Sequence, residues 1–219
     1  MEYLICGCIG YGLGCLNPAY FIFKWKHQDI RKGNSHPAIF KRLYSEEEQG
    51  RMNENRKRTI TVLLTRYCST FSNFIYWVTG RGYTHASLAL NDGEEFFYSF
   101  NFKGFRHEYP GRHIHKCVKS ICYKLEVSEE AFEKIRKQIE EMEQNREKLH
   151  YSRLGVLLCL LHIPFKMENG YFCSQFVMEM LQLSGSIVLE KSPSLYLPNQ
   201  LPEILGRCGC LKEIICNPV

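Results

Sequence analysis

The sequence contains no C-x-x-C pair, no regular cysteine spacing and no long basic run. Its eleven cysteines, at 6, 8, 15, 68, 117, 122, 159, 173, 208, 210 and 216, are too sparse for the disulfide framework of a small secreted scaffold. Most read as small buried hydrophobes in a reducing cytosol. A net charge of only +5, with both signs mixed along the chain, leaves no electrostatic footprint for nucleic acid. What is present is a core: 45% hydrophobic residues, with 14 Phe and 13 Tyr, exclude a disordered tail. At 219 residues the chain is too short for a multi-pass transporter and long enough for one domain with an appendage.

Charge is missing from the N-terminal segment. Residues 3–25 carry none until Lys24, and about 20 apolar residues suffice to cross a bilayer as a helix. Tyr3, Tyr20 and Trp25 stand near its ends as interface anchors, and Lys24, Lys26, Arg31 and Lys32 follow. The positive-inside rule then puts the N-terminus outside and the rest in the cytoplasm. A secretory signal peptide is the rival reading, but neither a basic n-region nor a small-residue cleavage site is evident. Gly10 and Gly14 form a G-x-x-x-G that offers a helix-packing face. The expected organisation is a transmembrane helix over 1–26, a polar linker over 27–58 and a folded domain over 59–219. Residues 45–58 are the charged, non-periodic part of that linker. A start at Met52 would remove the span and leave a soluble cytoplasmic protein.

Within the domain, residues 59–65 form a β-branched apolar run of strand length. Ser69 or Thr70 is placed to cap a helix carrying Phe71, Phe74, Ile75, Trp77 and Val78, ended by Gly80. Residues 83–90 and 94–100 read as a hairpin about the turn Asn91-Asp92-Gly93, and 117–127 as a third strand. Ser128 caps a helix with Glu129 and Glu130 in its first turn and Phe132, Ile135, Ile139 and Met142 on one face. Residues 154–163 suit a short buried helix, too short for a span. From Cys173, helical spacing of Phe176, Val177, Met180, Leu181 and Leu183 runs to Gly185. A proline-rich loop leads into a short helix over 192–206, and 207–216 form the last strand. Strands and helices fall in blocks, which predicts an α+β fold.

One constellation carries chemistry. Cys173 opens a helix, where partial positive charge and open backbone N–H groups favour a thiolate and an oxyanion. His85 stands near the start of a strand among the small residues Thr84, Ala86 and Ser87, with room to turn towards a partner. Cys on a helix start and His on a strand is the arrangement of thiol catalysis. A third polar group has to orient the imidazole and fix its tautomer; the neighbouring strand offers Ser99, with Tyr98, Asn101 and Glu95 as alternatives. His113, His115 and Cys117 alternate and would share a strand face as zinc ligands, but no fourth ligand has a diagnostic spacing. Cys208 and Cys210 read as structural, and Phe96, Phe97 and Tyr98 as core or the wall of an apolar groove.

The two segments 84–100 and 171–181, in the order His then Cys, resemble the circularly permuted branch of the NlpC-like papain-fold cysteine peptidases over residues 59–205. The resemblance implies a permuted papain-like fold, Cys173 as nucleophile, His85 as base and Ser99 in the third position, with no cofactor. It also implies a peptide, amide or lipid-like substrate, since the branch holds amidases, peptidases and acyltransferases similar to lecithin:retinol acyltransferase. Residues 16–38 are similar to the start of the bacterial membrane glycerol-3-phosphate acyltransferases, through Asn17-Pro18-Ala19-Tyr20 and the loop from Asp29 to Ser35. That family's further spans are absent. The combined expectation is a single-pass protein of a bacterial cell membrane with its catalytic domain in the cytoplasm, acting as a thiol hydrolase or acyltransferase. The alternatives are an inactive papain-fold binding module and a truncated relative of the lipid acyltransferases.

Overall fold

The computed structural model describes residues 56–67, 73, 76–77, 82–90, 96–109 and 117–218. The expected N-terminal span, most of the linker, the 91–93 turn and the apolar positions Phe71, Phe74, Ile75 and Val78 lie outside the described residues. No helix among the described residues is long and apolar enough to cross a membrane.

The fold is mixed α+β, with an antiparallel six-stranded sheet and four described helices. Strand β1 (Lys57–Tyr67) begins inside the stretch expected to be linker and pairs along its length with β5 (Cys117–Ser128). On its other side lie β2 (His85–Ala89), β3 (Phe97–Asn101) and β4 (Gly104–Glu108). The last strand, β8 (Leu211–Cys216), closes the opposite edge, giving the order β4-β3-β2-β1-β5-β8. Residues 60–65 are buried without interruption, which is why this central strand reads as a continuous run and not as an alternation.

Helix α1 (Glu129–Gln144) starts where expected: Ser128 Oγ accepts from Ala131 N, and Glu129 and Glu130 occupy the positive end. Phe132, Ile135, Ile139 and Met142 are all buried on the core. Full burial of each large apolar side chain stabilises by roughly 1.5–3 kcal/mol. Helix α3 (Cys173–Leu183) adds Phe176, Val177, Met180 and Leu181 to the same core, beside Leu64, Leu88, Phe100 and Phe105. Helix α4 (Leu201–Arg207) follows two single 3-10 turns and buries Leu201 and Leu205.

Helix α2 and the start of α3 are organised by a small parallel sheet. Strand β6 (His150–Tyr151) leads through Ser152 into helix α2 (Arg153–Leu160), and β7 (Gly170–Tyr171) leads through Phe172 into α3. The two strands pair in register, His150 with Gly170 and Tyr151 with Tyr171.

Four expectations change. Strand β4 was not anticipated; Asn101 and Gly104, at the first and fourth positions of a turn, now form its hairpin. Gly104 holds φ at +86°, and a Cβ there would stand 2.5 Å from Leu149 O. Helix α2 is not a buried helix: only Gly155, Val156 and Cys159 are buried, while Leu154, Leu157, Leu161 and Ile163 face solvent. Trp77, expected on an apolar helix face, is 74% exposed. Phe96, Phe97 and Tyr98 are half-buried, Tyr98 packing against the core from outside, and the deep core is formed by Phe100 and Phe105 instead.

Candidate active site

Pairing registers decide which side chains meet. Leu88 faces Tyr98 across β2 and β3, and Phe97 faces Glu108 across β3 and β4. With side chains alternating along each strand, His85, Ser99, Asn101 and Glu108 fall on one sheet face. His85 opens β2, so its ring stands at the strand end towards the start of α3.

Glu108 Oε2 lies 2.7 Å from His85 Nε2, and both side chains are only 12–13% exposed. Ser99 Oγ lies 3.1 Å from the same nitrogen and donates its own hydrogen to Ala86 O at 2.9 Å. Its proton being committed, Ser99 accepts from the ring, as the carboxylate does. Nε2 therefore carries hydrogen, shared between the close carboxylate and the more distant hydroxyl. Asn101 steadies the carboxylate from the far side, donating from Nδ2 to Glu108 Oε1 at 3.2 Å. The same side chain holds the turn, since Asn101 Oδ1 accepts from Lys103 N at 2.9 Å.

Cys173 stands close enough to act on the ring as well. Burial alone would pull the imidazole pKa down; the Glu108 charge, the Cys173 hydrogen bond and the Cys173 charge together reverse this. His85 consequently titrates well above the ordinary histidine range. With Nε2 held by Glu108, Nδ1 is the nitrogen left to serve the thiol.

Cys173 is the first residue of α3 and is buried. Phe172 occupies the N-cap and supplies no side-chain cap, so the leading N–H groups of the helix are not claimed by a capping side chain. Ser174, fully buried, has an Oγ without a hydrogen-bond partner among the described residues. Tyr151 stands close enough for the Cys173 charge to act on it: burial first, then that charge, raise its pKa well above the ordinary tyrosine range. It is a neutral phenol beside the thiol.

The structure thus brings Cys173, His85 and Ser99 together. The principal partner of the ring, however, is Glu108, which the sequence reading missed; Ser99 is a second acceptor. Of the alternatives, Asn101 supports Glu108, Tyr98 packs among Phe96, Phe105 and His107 on the other face, and Glu95 lies outside the described residues. Tyr151 was also missed; it reaches the site from β6, through tertiary pairing that local sequence does not show. The alternating trio His113, His115 and Cys117 lies outside the described side chains. Among the described residues no group of three His, Cys, Asp or Glu is placed to hold a metal ion. Cys208 and Cys210 are free thiols 3.2 Å apart, with Cys210 pushed by burial and its neighbour up to about 12.

No protein-family model matches the chain, and no curated protein matches it either.

Proposed function

We propose that this domain is a thiol enzyme of permuted papain-like, NlpC-like architecture that works through an acyl-enzyme. The observation that carries the reading is a single imidazole bonded to a partly buried carboxylate and placed beside a helix-start thiol that acts on it. Cys173 Sγ, as thiolate beside the charged ring, attacks a carbonyl carbon and forms an S–C bond. The oxygen takes the negative charge and is met by the open N–H groups at the start of α3, with the neutral Tyr151 hydroxyl nearby. His85 passes its Nδ1 proton to the departing amine or alcohol as the C–N or C–O bond breaks. Water, or an acceptor alcohol or amine, then gives a proton to His85 and attacks the thioester, releasing Cys173. Glu108 stabilises the imidazolium and fixes the tautomer, the work of the third residue in a triad. Ser99 and Asn101 are positioning residues.

The substrate class proposed is a peptide, amide or lipid-like acyl compound, with hydrolysis and acyl transfer differing only in the acceptor. The proposed setting is the cytoplasmic face of a bacterial membrane, reached through the N-terminal span.

A thiol-directed acyl probe tests the reading on the intact protein. Labelling is expected on Cys173 and absent in Cys173→Ala, while His85→Ala slows it by roughly 10²–10⁴-fold, the usual worth of general acid–base help. Undiminished labelling in Cys173→Ala would remove the thiol as nucleophile.

A further inference from the structure

Among the described residues, nothing covers an apolar face formed by helix α2 and the residues just after it. Leu154, Leu157, Leu161 and Ile163, with Phe102 from the β3–β4 turn, are each between 47% and 60% exposed. The first three recur at helical spacing on the side opposite Val156 and Cys159, so they form a ridge and not a scatter. Phe102 joins this ridge to the site, its ring centroid 5.1 Å from that of Tyr151, which neighbours Cys173.

Charge identifies the occupant. Residues 148–166 contain Lys148, Arg153 and Lys166 and no Asp or Glu. Arg153 lies 5.2 Å over the Phe102 ring, and Lys166 pairs with Glu179 on α3. Exposed leucines and a phenylalanine bordered by cations are the composition of a helix that lies in a membrane interface. An anionic lipid surface satisfies both the apolar ridge and its cationic border. The uncharged stretch that begins at residue 3, read as a membrane span, would bring the domain to such a surface.

We infer that the exposed leucine face of α2, with Phe102, docks on an anionic lipid bilayer and holds the Cys173 site against it. The inference does not depend on the acyl-enzyme reading, because docking requires no chemistry at Cys173.

The N-terminal stretch alone can carry the full chain into lipid, so binding by itself is no test; the contact must be read at the helix. A p-benzoylphenylalanine photocrosslinker placed at position 157 of the full chain, irradiated with phosphatidylcholine–phosphatidylglycerol vesicles, is expected to yield a phospholipid adduct. The same group at position 137, exposed on α1, is the control and is expected to yield none. Leu154→Glu with Leu161→Glu should lower the adduct at 157 by about tenfold or more, since two leucines lose their apolar burial. Both positions are exposed, so the fold is retained, and an unchanged circular-dichroism spectrum and thermal midpoint would verify it. Equal adducts at 157 and 137 would overturn the inference. So would crosslinking of position 157 to a second copy of the chain, or to residues 3–25 of the same chain, in place of lipid.

Discussion

Helices α2 and α3 are built alike and end up opposite. Each follows a two-residue strand of one parallel pair after a single intervening residue, and each carries a buried thiol. Ser152 caps α2, its Oγ accepting from Gly155 N at 2.9 Å, whereas Phe172 leaves α3 without a side-chain cap. Cys159 lies within α2 among Val156 and Phe172, where burial pushes its thiol up to about 12. Cys173 lies at the first position of α3 against His85. The difference is one of surroundings: Cys159 has apolar neighbours inside a helix, whereas Cys173 has an uncapped helix start and a charged neighbour, the setting in which thiols are activated. Exposure runs the other way: α3 buries its apolar face in the main core, and α2 leaves Leu154 and Leu157 exposed to solvent.

The largest expected effect breaks the comparison at packing. Phe176 on α3 is fully buried, its ring centroid 5.6 Å from those of Phe100 and Phe105, tilted to the first and edge-on to the second. Phe176→Ala should cost about 3–5 kcal/mol. Leu157→Ser on the exposed face of α2 should stay within about 0.5 kcal/mol. Urea unfolding of the two variants checks this, and similar losses would mean that α2 packs against something in the folded chain.

A smaller effect sharpens the electrostatic half. Glu108 is the leading cause that raises His85, so Glu108→Gln should lower the ring's pKa. The imidazolium needed beside the thiolate then disappears at lower pH, and the alkaline limb of the labelling rate moves down. Stability follows the same sign. A histidine raised in the folded state contributes fully below its unfolded value, about 6.5, and loses that contribution as pH climbs through the folded value. Wild-type stability should therefore fall on the alkaline side, and Glu108→Gln should flatten that fall. An alkaline limb that does not move would place the source of the raised pKa elsewhere.

These contrasts also mark what was legible in the chain. Cys173 and His85 were readable because a helix start and a strand rich in small residues are local features. Ser128 and the α1 face were readable for the same reason. Glu108 was not: it reaches the ring through two pairing registers, from a short strand whose residues, Gly-Phe-Arg-His-Glu, show no clean alternation. The available signal was Asn101 followed by Gly104, a turn signature that implied a returning strand. The direction of α2 was equally hidden. Leucines occur all around its short run, so periodicity could not tell the inner face from the outer. The choice is made by tertiary contact, where Gly155 lets Ser152 and the Phe172 ring come within 2.8 and 3.3 Å of the place a Cβ would take.

The smallest effect tests whether the capping difference itself is meaningful. Ser152 is buried, and its hydroxyl satisfies a helix-start N–H that has no intrahelical partner. Ser152→Ala should destabilise by about 1 kcal/mol, the ordinary worth of an N-cap. Labelling of Cys173 should be unchanged, because the N–H groups that serve the thiol belong to α3 and have no such cap to lose. Thermal unfolding read together with probe kinetics separates the two helix starts. A loss of labelling without a loss of stability would show that Ser152 reaches the thiol site through Tyr151 and β6, and that the two starts are coupled. Independent behaviour would instead show that the Ser152 cap serves the stability of α2 alone and that the start of α3 does not depend on it.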